Sequence, residues 1–116
     1  MIEETIVSYL TDAFETDNVP VYYGEPDPKA NDVFWIRVEK TGMSMANQIY
    51  SSTFAVQSYA PTFLGAAALS NAVVVAMLNI TTEPEIAGVY LNAEYNYTDT
   101  ATKQPRYQAV FNVVHY

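Results

Sequence analysis

Pro61-Thr62-Phe63-Leu64-Gly65-Ala66-Ala67-Ala68-Leu69-Ser70-Asn71-Ala72-Val73-Val74-Val75-Ala76-Met77-Leu78-Asn79 is the stretch on which the fold turns. Proline suits the first turn of a helix, and the run Thr62–Asn79 predicts one. Around its circumference almost nothing is polar except Ser70, Asn71 and Asn79. Ala66, Ala67, Ala68, Ala72 and Ala76 keep the helix thin, so neighbours can approach closely. A helix that is apolar all round must be covered on most sides. In a chain of 116 residues, one sheet and one other helix leave part of it bare. That leftover face, with Ala67 and Ala68, is an expected subunit contact. A membrane span is not expected: Phe63–Leu78 falls short of the ~20 residues a span needs, and no Lys or Arg flanks it closely.

Strand patterns surround this helix. Upstream, Ser52–Tyr59 alternates Phe54 and Val56 against Thr53, Ala55 and Gln57. Val33–Lys40 sets Phe34, Ile36 and Val38 against Trp35, Arg37 and Glu39. Between them, Thr41–Tyr50 has no clean period and predicts a long hairpin arm. Val19–Tyr23 is a short strand whose Pro20 marks an edge or a strand start. Gly24–Asp32 is a turn-rich loop. At the start of the chain, Ile2, Ile6, Leu10, Ala13 and Phe14 recur at helical spacing over residues 2–15, with Glu3 and Glu4 where the helix dipole favours negative charge. Thr16-Asp17-Asn18 ends this helix.

Downstream, Thr81–Glu85 is a connector. Ile86–Tyr97 is a strand with Val89, Leu91, Ala93 and Tyr95 on one face and Tyr90, Asn92 and Glu94 on the other. After a polar turn, Arg106–Tyr116 closes the chain with Tyr107, Ala109, Phe111 and Val113 on one face. The order is helix, three strands, helix, two strands. It predicts one α+β domain over 1–116: a largely antiparallel or mixed sheet of about five strands, with two helices packed on one face. Folding at this size buries roughly 65% of the unfolded surface, enough for a core without staples.

Composition narrows the function. The chain has no cysteine, which removes disulfides, thiolate metal sites and cysteine nucleophiles and suits a reducing cytosol. Its first residues carry acids where a signal peptide needs bases. The net charge is −8, and the five bases (Lys29, Arg37, Lys40, Lys103, Arg106) form no run, so specific nucleic-acid binding is not expected.

Catalytic patterns are weak. His115 is a lone strand-end histidine beside no marked nucleophile. The four glycines are scattered and cradle no phosphate. Glu25, Asp27, Asn31 and Asp32 offer oxygens to a hard cation, but their spacing matches no calcium loop and reads as a solvated turn. Glu3/Glu4 and Glu83/Glu85 read as a helix start and a turn. No catalytic, metal or cofactor site is expected.

Contact chemistry is stronger. Ten tyrosines exceed what one small core needs, and tyrosine is favoured at interfaces. Met43 and Met45, with Tyr50 at the end of the same arm, are candidates to pack against a partner. Lys103 and Arg106, around the polar turn, are candidates to pair with acids of a neighbour.

The whole chain resembles the phage tail-terminator (tail-completion) family. The residues carrying the resemblance are the N-terminal helix, Val19-Pro20-Val21, the strand ending in Lys40-Thr41-Gly42, and the long arm. Phe54-Ala55-Val56-Gln57-Ser58-Tyr59, the Ala-rich helix and Tyr97-Thr98-Asp99 through Lys103-Gln104-Pro105-Arg106-Tyr107-Gln108 complete it. The resemblance implies a virion protein, made in the host cytoplasm, that forms a homo-hexameric ring. The ring caps the tail tube, stops its polymerisation and meets the head connector. Its acidic lumen would let DNA slide. Two other classes remain open on the residues alone: a small ligand-binding or enzymatic α+β domain with Trp35 and tyrosines lining a pocket, and a monomeric adaptor. Another neck or minor tail component is also open.

Overall fold

The computed structural model describes residues 1–25 and 33–116. Five strands form one sheet in the order β1-β2-β3-β5-β4. They are β1 (Val21–Tyr23), β2 (Trp35–Ala46), β3 (Ile49–Tyr59), β4 (Ile86–Asn96) and β5 (Arg106–His115), with helices α1 (Ile2–Ala13) and α2 (Phe63–Leu78). β1 pairs with β2 in parallel and every other pairing is antiparallel, so the sheet is mixed. β3 and β4 both run antiparallel to β5 and are therefore parallel to each other. β3–α2–β4 is a crossover with β5 inserted between its two strands. The α+β class and the two helices on one face are as expected from the sequence.

The core follows from strand parity. Val38 is opposite Val56, which is opposite Ala109, and Phe54 is opposite Phe111. All these side chains leave the sheet on one side. Onto that side α1 lays Ile2, Ile6 and Leu10 over β1 and β2, and α2 lays Leu69, Val73 and Met77 over the other strands. Tyr9 ties the helices together by donating its hydroxyl to the carbonyl of Ala76 at 2.9 Å. Burial raises its pKa above the ordinary phenol range, with Glu83's charge adding to the effect.

Several local readings change. Ala13 is exposed, whereas Phe14 is buried after the helix ends. Pro61 lies outside α2: Thr62 is the N-cap, and its hydroxyl accepts from the amide of Gly65 at 2.9 Å. In β4, Val89 and Leu91 do share the helix side, but the register shifts between Leu91 and Ala93. The extra residue, Asn92, turns Ala93 and Tyr95 to the open side and brings Glu94 under α2, where it accepts from Ser70 at 2.9 Å. Alternation cannot reveal a bulge, because one inserted residue inverts every face after it.

The open side of the sheet carries its own brace. Trp35 stacks on Tyr59 at 3.6 Å and meets the edge of Tyr22. Arg106 sits over Tyr59 and Tyr97, and Tyr97 meets Tyr95 edge-on. A second row hydrogen-bonds Arg37 to Gln57, Gln57 to Gln108, and Gln108 to Tyr95. The two rows cross all five strands, ending on Tyr97 just past β4.

Phe111→Ala, in the centre of the core, is expected to lower unfolding free energy by about 3–5 kcal/mol. Leu64→Ala, on the bare side of α2, is expected to change it by no more than about 0.5 kcal/mol. Urea titrations of both variants check the contrast.

Candidate functional site

α2 packs with one side only. Ala66, Leu69, Ser70, Val73 and Met77 are buried, while Leu64 is 83% exposed and Val75 63% exposed. Ala68, Asn71 and Ala72 lie between them on the same outward stripe, and Phe63 and Leu78 flank its ends. The face expected to be left over is therefore present, and the two alanines expected on it separate: Ala68 is exposed and Ala67 is half-buried on the flank. The helical stretch Phe63–Thr82 has 20 residues and an 18-residue window of mean hydropathy 1.9. By length and composition it is enough to cross a membrane, and it does not fall short as expected from Phe63–Leu78. In this fold its buried row packs on the sheet.

Beside the stripe runs an open apolar groove of about 410 Å³, walled by Phe14, Val19, Phe34, Ala68 and Ala72, with Asp17 at its edge. Gly65 also lines it, where its backbone is closely approached. A Cβ there would meet the Thr62 hydroxyl at 3.0 Å and the Ala60 methyl at 3.2 Å, and would sit 3.4 Å from the Phe34 ring. Phe34, expected on the same face as Ile36 and Val38, is exposed and forms a wall of the groove.

The second surface is the arm. β2 and β3 continue as a hairpin to the two-residue turn Asn47-Gln48, both with positive φ (53° and 64°), as the hairpin twist requires. β1 pairs with β2 only at Ile36–Val38, so beyond Thr41 the outer edge of β2 has no strand partner among the described residues. Met43 is 53% and Met45 59% exposed, both on the helix side of the sheet, and Ile49 is exposed on the other. Tyr50 is partly covered and stacks on His115 at 5.3 Å. The arm is anchored at its base, where the Lys40 ammonium meets Glu3 of α1 at 3.1 Å and the Lys40 amide donates to the Tyr23 hydroxyl. A backbone hydrogen bond at Glu3 itself, then the one from Lys40, hold the Glu3 carboxyl below its ordinary pKa against a smaller opposing effect of burial.

The outward stripe of α2 and the arm carry no charge, and Asp17 is the one charged residue lining the groove. From Thr41 to Thr82 no residue carries a charge, although the chain as a whole is −8. That uncharged tract is the signal that could have located Leu64, Ala72, Val75 and Ile49, which hydrophobic patterning did not single out. The basic candidates fare differently. Lys103 is exposed, with φ +56°, and makes no ion pair among the described residues. Arg106 is taken up within its own chain, donating to the Tyr97 carbonyl at 2.8 Å and the Tyr59 hydroxyl at 3.0 Å.

His115 is more than a strand end. It is buried, and its Nε2 lies 2.8 Å from the Ser52 hydroxyl, with Nδ1 3.3 Å from the Tyr116 carbonyl. Nδ1–H donating to that carbonyl leaves Nε2 to accept from Ser52. Ser52 is itself fully buried, so the pair knits β3 to β5 and offers no nucleophile to a substrate. Of the oxygens considered for a cation, Asp27, Asn31 and Asp32 lie outside the described residues, and Glu25 accepts from Arg37 at 3.3 Å.

No family model matches this chain, and no curated protein is significantly similar to it.

Glu3→Gln is expected to be less stable than the wild-type chain at pH 7. A carboxylate whose pKa is depressed by folding stabilises above its unfolded pKa, about 4.3, and loses that contribution as pH falls through its folded value. Thermal unfolding from pH 7 to pH 3 should show the gap between the two proteins closing in the acid range. A fluorophosphonate probe is expected to leave Ser52 unlabelled in the folded protein, read by intact mass.

Proposed function

We propose that this chain is a structural subunit that assembles with copies of itself into a ring, and that the ring closes a phage tail tube. The observation that carries this reading is the bare apolar side of α2, Leu64 to Leu78, on a chain of net charge −8. Scattered apolar residues are ordinary on a surface, but a contiguous stripe on one helix marks a protein contact. Interface centres are depleted of charge, and the uncharged tract supplies both the stripe and the arm.

Acidity elsewhere suits the same role. Copies carrying eight surplus negative charges repel one another except where charge is absent, which favours one docking geometry over many. A ring whose lumen is acidic lets DNA pass without adhering. In the virion the ring's partners are the tail-tube protein on one side and the head connector or head-completion protein on the other. The structural role calls for no cofactor. The resemblance of the element order and of the Lys103–Gln108 segment to tail terminators supports a position at the tail end, and binding to tube subunits in preference to connector subunits would distinguish that position from elsewhere in the neck.

Ala68→Arg sets a charge in the middle of the stripe without touching the core. It is expected to keep the wild-type unfolding midpoint and to reduce assembly at least tenfold, read by sedimentation velocity and negative-stain imaging with and without tail-tube subunits. Wild-type protein that stays monomeric under all these conditions would rule the ring out.

A further inference from the structure

The bare groove beside α2 and the bare arm are complementary, and their placement says how. Phe34, a wall of the groove, immediately precedes β2, and Met45 lies near the far end of the same strand. At ~3.3 Å per residue the two are roughly 36 Å apart, in a molecule whose longest dimension is 43 Å. A subunit's arm therefore cannot fold back into its own groove.

We propose that Met43 and Met45 of one copy seat in the α2 groove of the next, between Phe14, Phe34 and the Ala68–Ala72 edge. This rests on the ring-subunit reading and names the contact that builds the ring. Three features support a second copy as the occupant. Both surfaces are apolar and unpartnered among the described residues. The groove's one charged lining residue is Asp17, which would repel an acidic segment but not an arm without charge. Methionine is unbranched and adapts to an irregular apolar cleft, and the arm offers two, spaced to leave the same side of the strand. Because the two patches are different and sit at opposite ends, the contact is head-to-tail. It closes into a ring when the rotation between copies closes, and otherwise extends as a filament.

The chain has no cysteine, so single thiols report cleanly. Met45→Cys and Ala72→Cys are made separately, checked for native circular dichroism, and mixed at the concentration where the unmodified chain assembles. A short bismaleimide is then added. The expected result is a cross-linked dimer at least fivefold more abundant in the mixture than with either variant alone. The double variant should give a ladder of multimers. Met43→Cys with Ala68→Cys provides a second pair should either first variant misfold. Dimers formed mainly by Ala72→Cys alone would mean that helices pair with helices. Assembled particles without the mixed product would mean that other surfaces join the copies. Either outcome overturns the arm-in-groove contact and leaves self-assembly standing. A chain that never assembles, alone or with tube subunits, overturns the ring reading itself.

Discussion

A single sheet can bury only one side of a helix lying on it, and α2 is apolar on every side. Its inward row, from Ala66 to Met77, meets Phe54, Val56 and Phe111, while α1 fills the neighbouring ground over β1 and β2. Among the described residues, nothing covers the outward side of Leu64, Ala68, Ala72 and Val75. The helix is thus held by the core on one side and exposes on the other what a soluble monomer would normally replace with charge. The groove, the arm and the absence of charge take their functional meaning from that imbalance.

The two faces of the sheet divide the work. The helix side supplies the hydrophobic stabilisation. The open side locks the strands laterally through Tyr22, Trp35, Tyr59, Arg106 and Tyr97, together with the Arg37–Gln57–Gln108–Tyr95 row. β5 stays paired with β3 out to Tyr50, so the arm is bare only along the outer edge of β2, beyond the short β1. Glu3 and Lys40 then fix the point from which the arm departs. Several of the ten tyrosines take part in this bracing.

Much of the fold was legible because burial imposes a period. Ile2, Ile6 and Leu10 announced α1. Ile36/Val38, Phe54/Val56 and Phe111/Val113 announced the strands. The misses share a cause: each depended on something with no period. A single added residue at Asn92 inverted the end of β4. Phe34 alternates correctly with Ile36, but alternation does not reveal that it forms a groove wall with α2 and Phe14. The rings that Arg106 meets within its own chain, Tyr59 and Tyr97, lie beside it in space but not in sequence. Met43, Met45 and Ala68, named from composition, are exposed, whereas the groove assembled from Phe14, Phe34 and Ala72 joins segments far apart in the chain.

By itself the amino-acid sequence determined that there would be a surplus: an α+β domain whose second helix had more apolar surface than its own sheet could take, beside a long uncharged arm. Local patterning and charge suffice for that, since both are properties of neighbouring residues. Only the tertiary structure decided which side of the helix is bare, and that arm and groove lie at opposite ends of the molecule. Those are distances between segments, and they exist only once the sheet has set its register.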